Sequence, residues 1–315
     1  MTYPWGHNRR FNSQPEYMRQ IFGERVQKLT LDAGFTCPNR DGSKGTGGCT
    51  FCNNEAFNPS YCHPSKPIGD QLQEGIDYYK RRYKGVNRFL AYFQAYTNTY
   101  KDFEELVFLY EEALQYPGVV GLVIGTRPDC VTDELLDYFA DLSGKYYVVI
   151  EYGVESCYND TLKRVNRGHT LEDSISAIKS TAARGVRQCA HFIIGLPGED
   201  RRSVLDAFRQ VSGWPVNLVK LHQLQIIKGT RIAEEYLQDP GSFTLYSIDE
   251  YLDLVVEIAE HLNPAFVIDR IAGEVNPDYL VTPAWHIRYD QILVRFETLL
   301  EERNTWQGRL YKAFK

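Results

Sequence analysis

Six short runs rich in Val, Ile and Leu recur along the chain, each followed by a polar stretch and then, in most cases, an amphipathic segment. The runs are Val26–Ala33, Arg88–Ala95, Gly118–Thr126, Tyr146–Val154, Cys189–Pro197 and Asn217–Ile227. Continuous apolar runs of this length, bounded by Gly or Pro, suit strands buried on both faces of a parallel sheet. The intervening segments 102–115, 132–142, 170–184 and 200–212 read as helices. Thr132 is a plausible N-cap with acids in the turn behind it, and Gly185 sits where a left-handed residue ends a helix. The alternation predicts an α/β fold with a parallel sheet, open or barrel-like, of about six βα units. Beyond Ser247 the pattern changes to a long helix (247–262), a short apolar run AFVIDRIA and a last helix (285–303). The expected organisation is an N-terminal extension (1–25), the α/β region (26–246) and a C-terminal helical extension (247–315).

All the unusual motifs then fall behind strands. A cysteine loop follows the first strand, QAYTNTY the second, TRPDC the third, VESCYNDTLKRVNRGHT the fourth, IGLPGED the fifth and QIIKGT the sixth. That is the rim where parallel α/β folds place their chemistry.

The cysteine loop, CPNRDGSKGTGGCTFC, holds Cys37, Cys49 and Cys52. The chain has seven cysteines, an odd number, and a length that needs no disulfide scaffold. No apolar run reaches membrane-spanning length, and the N-terminus MTYPWGHNRRFNSQ lacks the apolar region of a secretory signal. The expected compartment is the cytoplasm, where thiols stay reduced. A thiol cluster there means metal or catalysis. A structural zinc site would need a fourth ligand, which Cys62 or His63 could supply. A cubane iron–sulfur cluster held by three thiols would leave one iron open. Of the lone cysteines, Cys189 reads as a core residue, and Cys130 and Cys157 follow strands on the same rim. A second metal site requires Cys62, Cys130 and Cys157 to converge.

The loop, together with YFQAYTNTY, GVESCYNDTLKRVNRGHT, FIIGLPGE, KLHQLQIIKGT and AWHIRYDQILVRFE, resembles the radical S-adenosylmethionine (SAM) superfamily, and within it the YhcC/YtqA-like branch with its enlarged Cys-x11-Cys-x2-Cys loop. The resemblance implies a partial TIM-like barrel, a [4Fe–4S] cluster on Cys37, Cys49 and Cys52, SAM bound at its open iron, and a 5′-deoxyadenosyl radical made by one-electron cleavage. It implies an electron donor such as flavodoxin or ferredoxin. It places Phe51 near the adenine, and Ala95, Tyr96 and Thr97 where relatives carry Gly-Gly-Glu. Glu155, Ser156 and Arg167 match ribose and carboxylate contacts, and Ile194 and Gly195 flank the adenine. Cys130, Cys157 and His222 are candidates for catalytic groups. Asp32, Gln94, Gln223, Gln225 and Lys228 lie near strand ends where substrate would sit.

The formal net charge is −6, so RNA would meet a patch and not a basic coat. Lys80–Arg88 (KRRYKGVNR), Leu162–His169 and the N-terminal RRFNSQPEYMRQ supply short basic runs. The resemblance implies a tRNA substrate, with conversion of 5-carboxymethylaminomethyl-(2-thio)uridine at the wobble position to the 5-aminomethyl form. Two other classes stay open: a radical enzyme acting on a peptide or small metabolite, and a zinc-stabilised RNA-binding module without catalysis.

Overall fold

The apolar runs form parallel strands β1 (Val26–Leu31), β2 (Arg88–Phe93), β3 (Val119–Thr126), β4 (Tyr147–Glu155), β5 (Arg187–Ile194) and β6 (Leu218–Gln223) in the computed structural model, which describes residues 2–83 and 85–312. Lys84, inside the basic run Lys80–Arg88, lies outside the described residues. A short β7 (Ile226–Ile227) pairs antiparallel with β9 (Leu280–Thr282), and β8 (Val267–Arg270) joins the main sheet. The main sheet runs β1-β2-β3-β4-β5-β6-β8, parallel throughout. Together with its helices it is the expected partial barrel, with one addition. The run AFVIDRIA supplies a seventh parallel strand from the C-terminal segment.

The helices are α1 (Gln14–Phe22), α2 (Ile68–Arg82), α3 (Phe103–Leu114), α4 (Asp133–Ser143), α5 (Asn159–Arg164), α6 (Leu171–Ala183), α7 (Arg201–Val211), α8 (Arg231–Gln238), α9 (Ile248–His261) and α10 (Tyr289–Glu302). Thr132, Thr170, Asp200 and Ser247 cap α4, α6, α7 and α9 through side-chain bonds to orphan backbone N–H groups. The sequence reading did not anticipate α1, α2, α5 and α8. α2 begins after Pro67 with no side-chain cap and contains two glycines. Gly75 is there for packing: a Cβ on it would lie 3.1 Å from the Tyr61 ring. No helix among the described residues is long and apolar enough to cross a membrane.

Strand side chains alternate between two environments, as the pleat requires. Leu29, Phe89, Phe93, Leu122, Ile150 and Leu221 face the helical layer in one large core. The opposite faces turn into the curl of the sheet. Its lower end is filled by Val26, Leu90, Val123, Val149, Cys189, Leu218 and Val267, and Met18 of α1 inserts among them. α1 is therefore a plug at the N-terminal ends of the strands. It is held there by the chain just before it: Ile268 N–H donates to Asn12 O at 2.8 Å, and Asn12 N–H to Gln307 Oε1 at 2.9 Å.

Candidate functional site

The loop between Cys37 and Cys49 has neither helix nor extended strand, yet polar side chains clamp it. The buried Asn39 amide donates to Asn166 O, and the Asn166 amide donates back to Gly48 O at 2.7 Å. Lys44 pairs with Asp129 at 2.6 Å, and Arg127 grips the same carboxylate with two bonds of 2.9 Å. Arg127 also donates to Arg167 O at 2.6 Å. Arg127 and Lys44 outweigh burial and hold Asp129 well below the usual carboxylate range, so this clamp is charged at neutral pH. The glycines give the loop its closeness. A Cβ on Gly45 would lie 2.3 Å from Asn39 Oδ1, and Gly48 has a φ of +77°.

The clamp presents Cys37, Cys49 and Cys52 to a cavity of about 210 Å³ at the C-terminal ends of the strands. Phe51, Tyr96, Thr97, Glu155, Arg167 and His222 line the same cavity. Arg167 Nη1 lies 3.7 Å from Cys49 Sγ, and Arg40 donates to Cys52 O at 3.0 Å. Burial pushes the Cys52 thiol up to about 11, Cys49 adds to the shift, and Arg40 opposes it. A metal on this sulfur must displace that proton. Among the described residues, no three Cys, His, Asp or Glu side chains gather around a single-ion position. A cubane does not ask for that, because its thiolates sit on different irons. Three sulfurs in one cavity, beside two guanidiniums that offset anionic charge, fit a [4Fe–4S] cluster.

The cavity also fits a polar organic ligand. Thr97 Oγ1, Arg167 Nε, His191 Nε2 and His222 Nε2 are buried without a protein partner, and all four residues line it. Unpaired buried polar atoms are costly, so a ligand that bonds them is favoured. Glu155 lies 3.6 Å from Arg167 and 3.5 Å from His191. Tyr96 and Glu155 are non-glycine residues at φ +62° and +67°, a strained conformation that concentrates at functional sites. Gly153 leaves room for Glu155 and Arg167: a Cβ there would lie 2.5 Å from Glu155 Oε1 and 2.6 Å from Arg167 Nη2.

Other predicted residues are placed elsewhere. Ser156 accepts from Tyr158 N–H at 2.9 Å and donates to buried Glu199, a role at the start of α5. The Ile194 side chain faces the helical layer, and its carbonyl accepts from Leu224 N–H at 2.8 Å. Gly195, at φ +95°, abuts Thr244 O and the Tyr246 ring. Cys157 is packed in the large core, Cys130 lies in a short turn beside Asp129, and Cys62 is buried near Asp32 and Lys66. Cys62, Cys130 and Cys157 are thus in three different environments. Gln94, Gln223 and Gln225 line the cavity. Asp32 accepts from Gly34 N–H, and Lys228 donates to Asp278 O.

The sequence reading missed the polar floor beneath the cavity, of which Tyr92, Glu151, His191 and Lys220 line it directly. Lys28, Tyr92, Glu151, His191, Lys220 and Asp269 come from six strands. Each lies two residues beyond one of the apolar residues around Met18, so together they form the next layer up the interior. Lys220 Nζ donates to Glu151 Oε1 at 2.6 Å and to the Tyr92 hydroxyl at 3.0 Å. Lys28 Nζ donates to Asp269 at 2.7 Å and lies 3.9 Å from Glu151 Oε2. Burial alone would raise Glu151, but Lys220 and Lys28 hold it at about 2. His191 and His222 meet edge to face at 4.4 Å, both driven towards the neutral form by burial. The available signal was a polar residue inside several of the apolar runs, such as Lys28, Glu151, His191 and Lys220.

Comparison with known proteins agrees with this geometry. Residues 40–211 match the Radical SAM superfamily, and residues 216–302 match its C-terminal domain. YtqA of Bacillus subtilis is 31% identical over 98% of this chain and 94% of its own. YhcC of Escherichia coli is 36% identical over 84% of each chain. The tRNA uridine(34) acetyltransferase of Methanocaldococcus infernus is 30% identical over 51% of this chain and 30% of its own. Among solved structures, an N-terminally truncated Elp3 from Methanocaldococcus infernus superposes with a TM-score of 0.67 at 18% identity, covering 90% of this chain and 64% of that one. It shares the fold. With a family match over more than half its length and a relative aligned almost end to end, the chain belongs to the radical SAM superfamily.

Proposed function

We propose that this radical SAM enzyme holds a [4Fe–4S] cluster on Cys37, Cys49 and Cys52 and modifies the wobble uridine of tRNA, converting a 5-carboxymethylaminomethyl side chain to 5-aminomethyl. The observation that carries the cofactor reading is the meeting of three thiols, Glu155, Arg167 and several unpaired polar atoms in one cavity. Bound there, the cluster and SAM supply a 5′-deoxyadenosyl radical able to take hydrogen from an unactivated C–H bond. The chain's own groups do the rest. Arg167, fixed by Gly153 O at 2.6 Å, offers a guanidinium edge to a carboxylate. Glu155 offers its carboxylate to sugar hydroxyls. His191 and His222, kept neutral, can donate or accept a hydrogen bond on substrate without adding charge. The α1 plug and the apolar layer around Met18 exclude water from below.

Support for tRNA comes from the relative that acts on tRNA uridine 34, similar over half of this chain. The test is anaerobic. Protein reconstituted with iron and sulfide receives dithionite and SAM, and 5′-deoxyadenosine is measured with and without tRNA carrying immature wobble uridines. The expected result is cleavage stimulated by that tRNA, with a matching loss of the carboxymethyl group. Cleavage indifferent to tRNA retires the substrate. Cys37→Ala, Cys49→Ala and Cys52→Ala should each lose iron and cleavage together, whereas Cys189→Ala keeps both; full activity in any of the first three sinks the cluster assignment.

A further inference from the structure

The curled sheet has two free edges, β1 and β8, and a second cavity of about 940 Å³ opens between them. It meets the thiol-lined cavity at Phe57, Tyr92, Gln94, Lys220 and His222, which line both. With the lower end plugged by α1 and the outer face covered by helices, this lateral cleft is a broad approach to the site.

Its walls are basic and aromatic. Arg25, Lys28, Arg82, Lys220, Arg270 and Arg288 face Asp269, Glu274 and Asp290, in a chain of net charge −6. Carboxylates hold Lys28, Lys220, Arg270 and Arg288 at 2.6–2.8 Å. Arg25 and Arg82 are exposed and have no carboxylate partner among the described residues. Arg25 lies 3.7 Å above the Tyr83 ring, and Arg82 bonds the Tyr78 hydroxyl at 3.2 Å. Tyr79 and Tyr83, one helical turn apart on the end of α2, are nearly parallel with centroids 6.3 Å apart. Exposed guanidiniums with no carboxylate partner beside half-buried tyrosine rings are what a single-stranded nucleic acid needs: charge for phosphates and π-surface for bases. Tyr79 and Tyr83 also pack against the helical core, and their remaining exposed ring surface is a feature that bases can use and an acidic protein would not.

We propose that this cleft is an RNA-docking groove, in which Arg25 and Arg82 hold phosphates, Tyr79 and Tyr83 stack bases, and the reacting nucleotide, turned out of its stack, passes Phe57 and His222 to the thiols. The proposal rests on the RNA-modifying reading above and adds the surface that reading lacks. Extruding the nucleotide is the general solution when chemistry must reach an atom inside a stacked strand.

Fluorescence anisotropy of the reconstituted protein with a labelled anticodon stem-loop, across a salt series, tests it. The double variant Arg25→Glu/Arg82→Glu should weaken binding by at least about tenfold and lower the slope of log K against log salt by roughly 1.4, two single-strand phosphate contacts. Arg25→Gln/Arg82→Gln should follow in the same direction. Tyr83→Leu should weaken binding and leave the slope alone. Arg202→Glu, on α7 with a side chain 91% exposed and away from the cleft, should change nothing. Iron content and Tm serve as fold controls. Wild-type protein that fails to bind the stem-loop overturns the RNA reading and the groove with it. Wild-type binding that both arginine variants retain overturns the groove alone. Binding of poly-glutamate as tight as RNA, lost in the same variants, overturns the nucleic-acid assignment in favour of an acidic protein partner.

Discussion

The thiol-bearing rim and the polar layer beneath it are built in opposite ways. The rim is local. Cys37, Cys49 and Cys52 come from one loop, clamped by partners on the β3 and β4 connections. The floor is distributed: Lys28, Tyr92, Glu151, Lys220 and Asp269 come from five strands, and most of their polar atoms are already bonded to one another. The unpaired atoms of these residues are on Thr97, Glu155 and Arg167 near the rim, on His191 and His222, and, among the five floor residues, on Glu151 Oε2 alone. The difference assigns the rim to ligand capture and the ionic floor to holding the curled sheet together, because Lys28–Asp269 ties its two free edges.

The largest effect expected from this contrast comes from opening the floor. Lys220→Ala leaves Glu151 buried with only Lys28, 3.9 Å away, and the Tyr92 hydroxyl. Removing one partner of such a buried pair costs about 3–5 kcal/mol. Denaturant unfolding should show that loss, and the double variant Glu151→Gln/Lys220→Met should recover most of it. Cys52→Ala should lose iron with far less change in the stability of the metal-free protein. Equal stability losses in the two single variants would erase the distinction.

The same contrast explains what was legible in the sequence. The strands stood out because parallel strands buried on both faces need continuous apolar runs, and the start of α4 stood out because its capping side chain, Thr132, lies next to the helix it caps. The rim was legible for the same local reason: its cysteines share one loop. The floor was not, because Lys28 and Asp269 become neighbours only when the sheet curls, and no local pattern pairs residues so far apart in the chain. α2 escaped because its glycine is explained by Tyr61 and Leu29, which lie outside the helix.

Acid should separate the layers at a smaller scale. Burial, with His191, Lys220 and Arg270 adding to it, holds His222 well below its ordinary value, so it stays neutral in the folded chain. The unfolded chain takes up that proton first. Stability is therefore fully present above about pH 6.5 and falls as pH drops below it, by up to about 1.4 kcal/mol per pH unit for this one group. Glu151, depressed to about 2, keeps its contribution down to about pH 4.5 and loses it below. His222→Phe should flatten the upper part of the acid limb and leave the lower part. A variant with an unchanged slope between pH 6.5 and 5 would mean that His222 is not kept neutral by folding.

The smallest expected change is the sharpest test of the floor as a structural device. Tyr92→Phe keeps the ring, its volume and the positions of Lys28 at 5.5 Å and Lys220 at 5.1 Å from its centre. It removes only the hydroxyl, which donates to Glu151 at 2.6 Å and accepts from Lys220 at 3.0 Å. Glu151 and Lys220 still bond each other directly, so neither charge is orphaned, and the loss should be about 1 kcal/mol. Iron content and SAM cleavage should be unchanged. A loss near that of Lys220→Ala would make the five residues one cooperative network. Unchanged stability with substrate turnover abolished would move the floor from scaffold to substrate recognition, and the division between the two layers would fall.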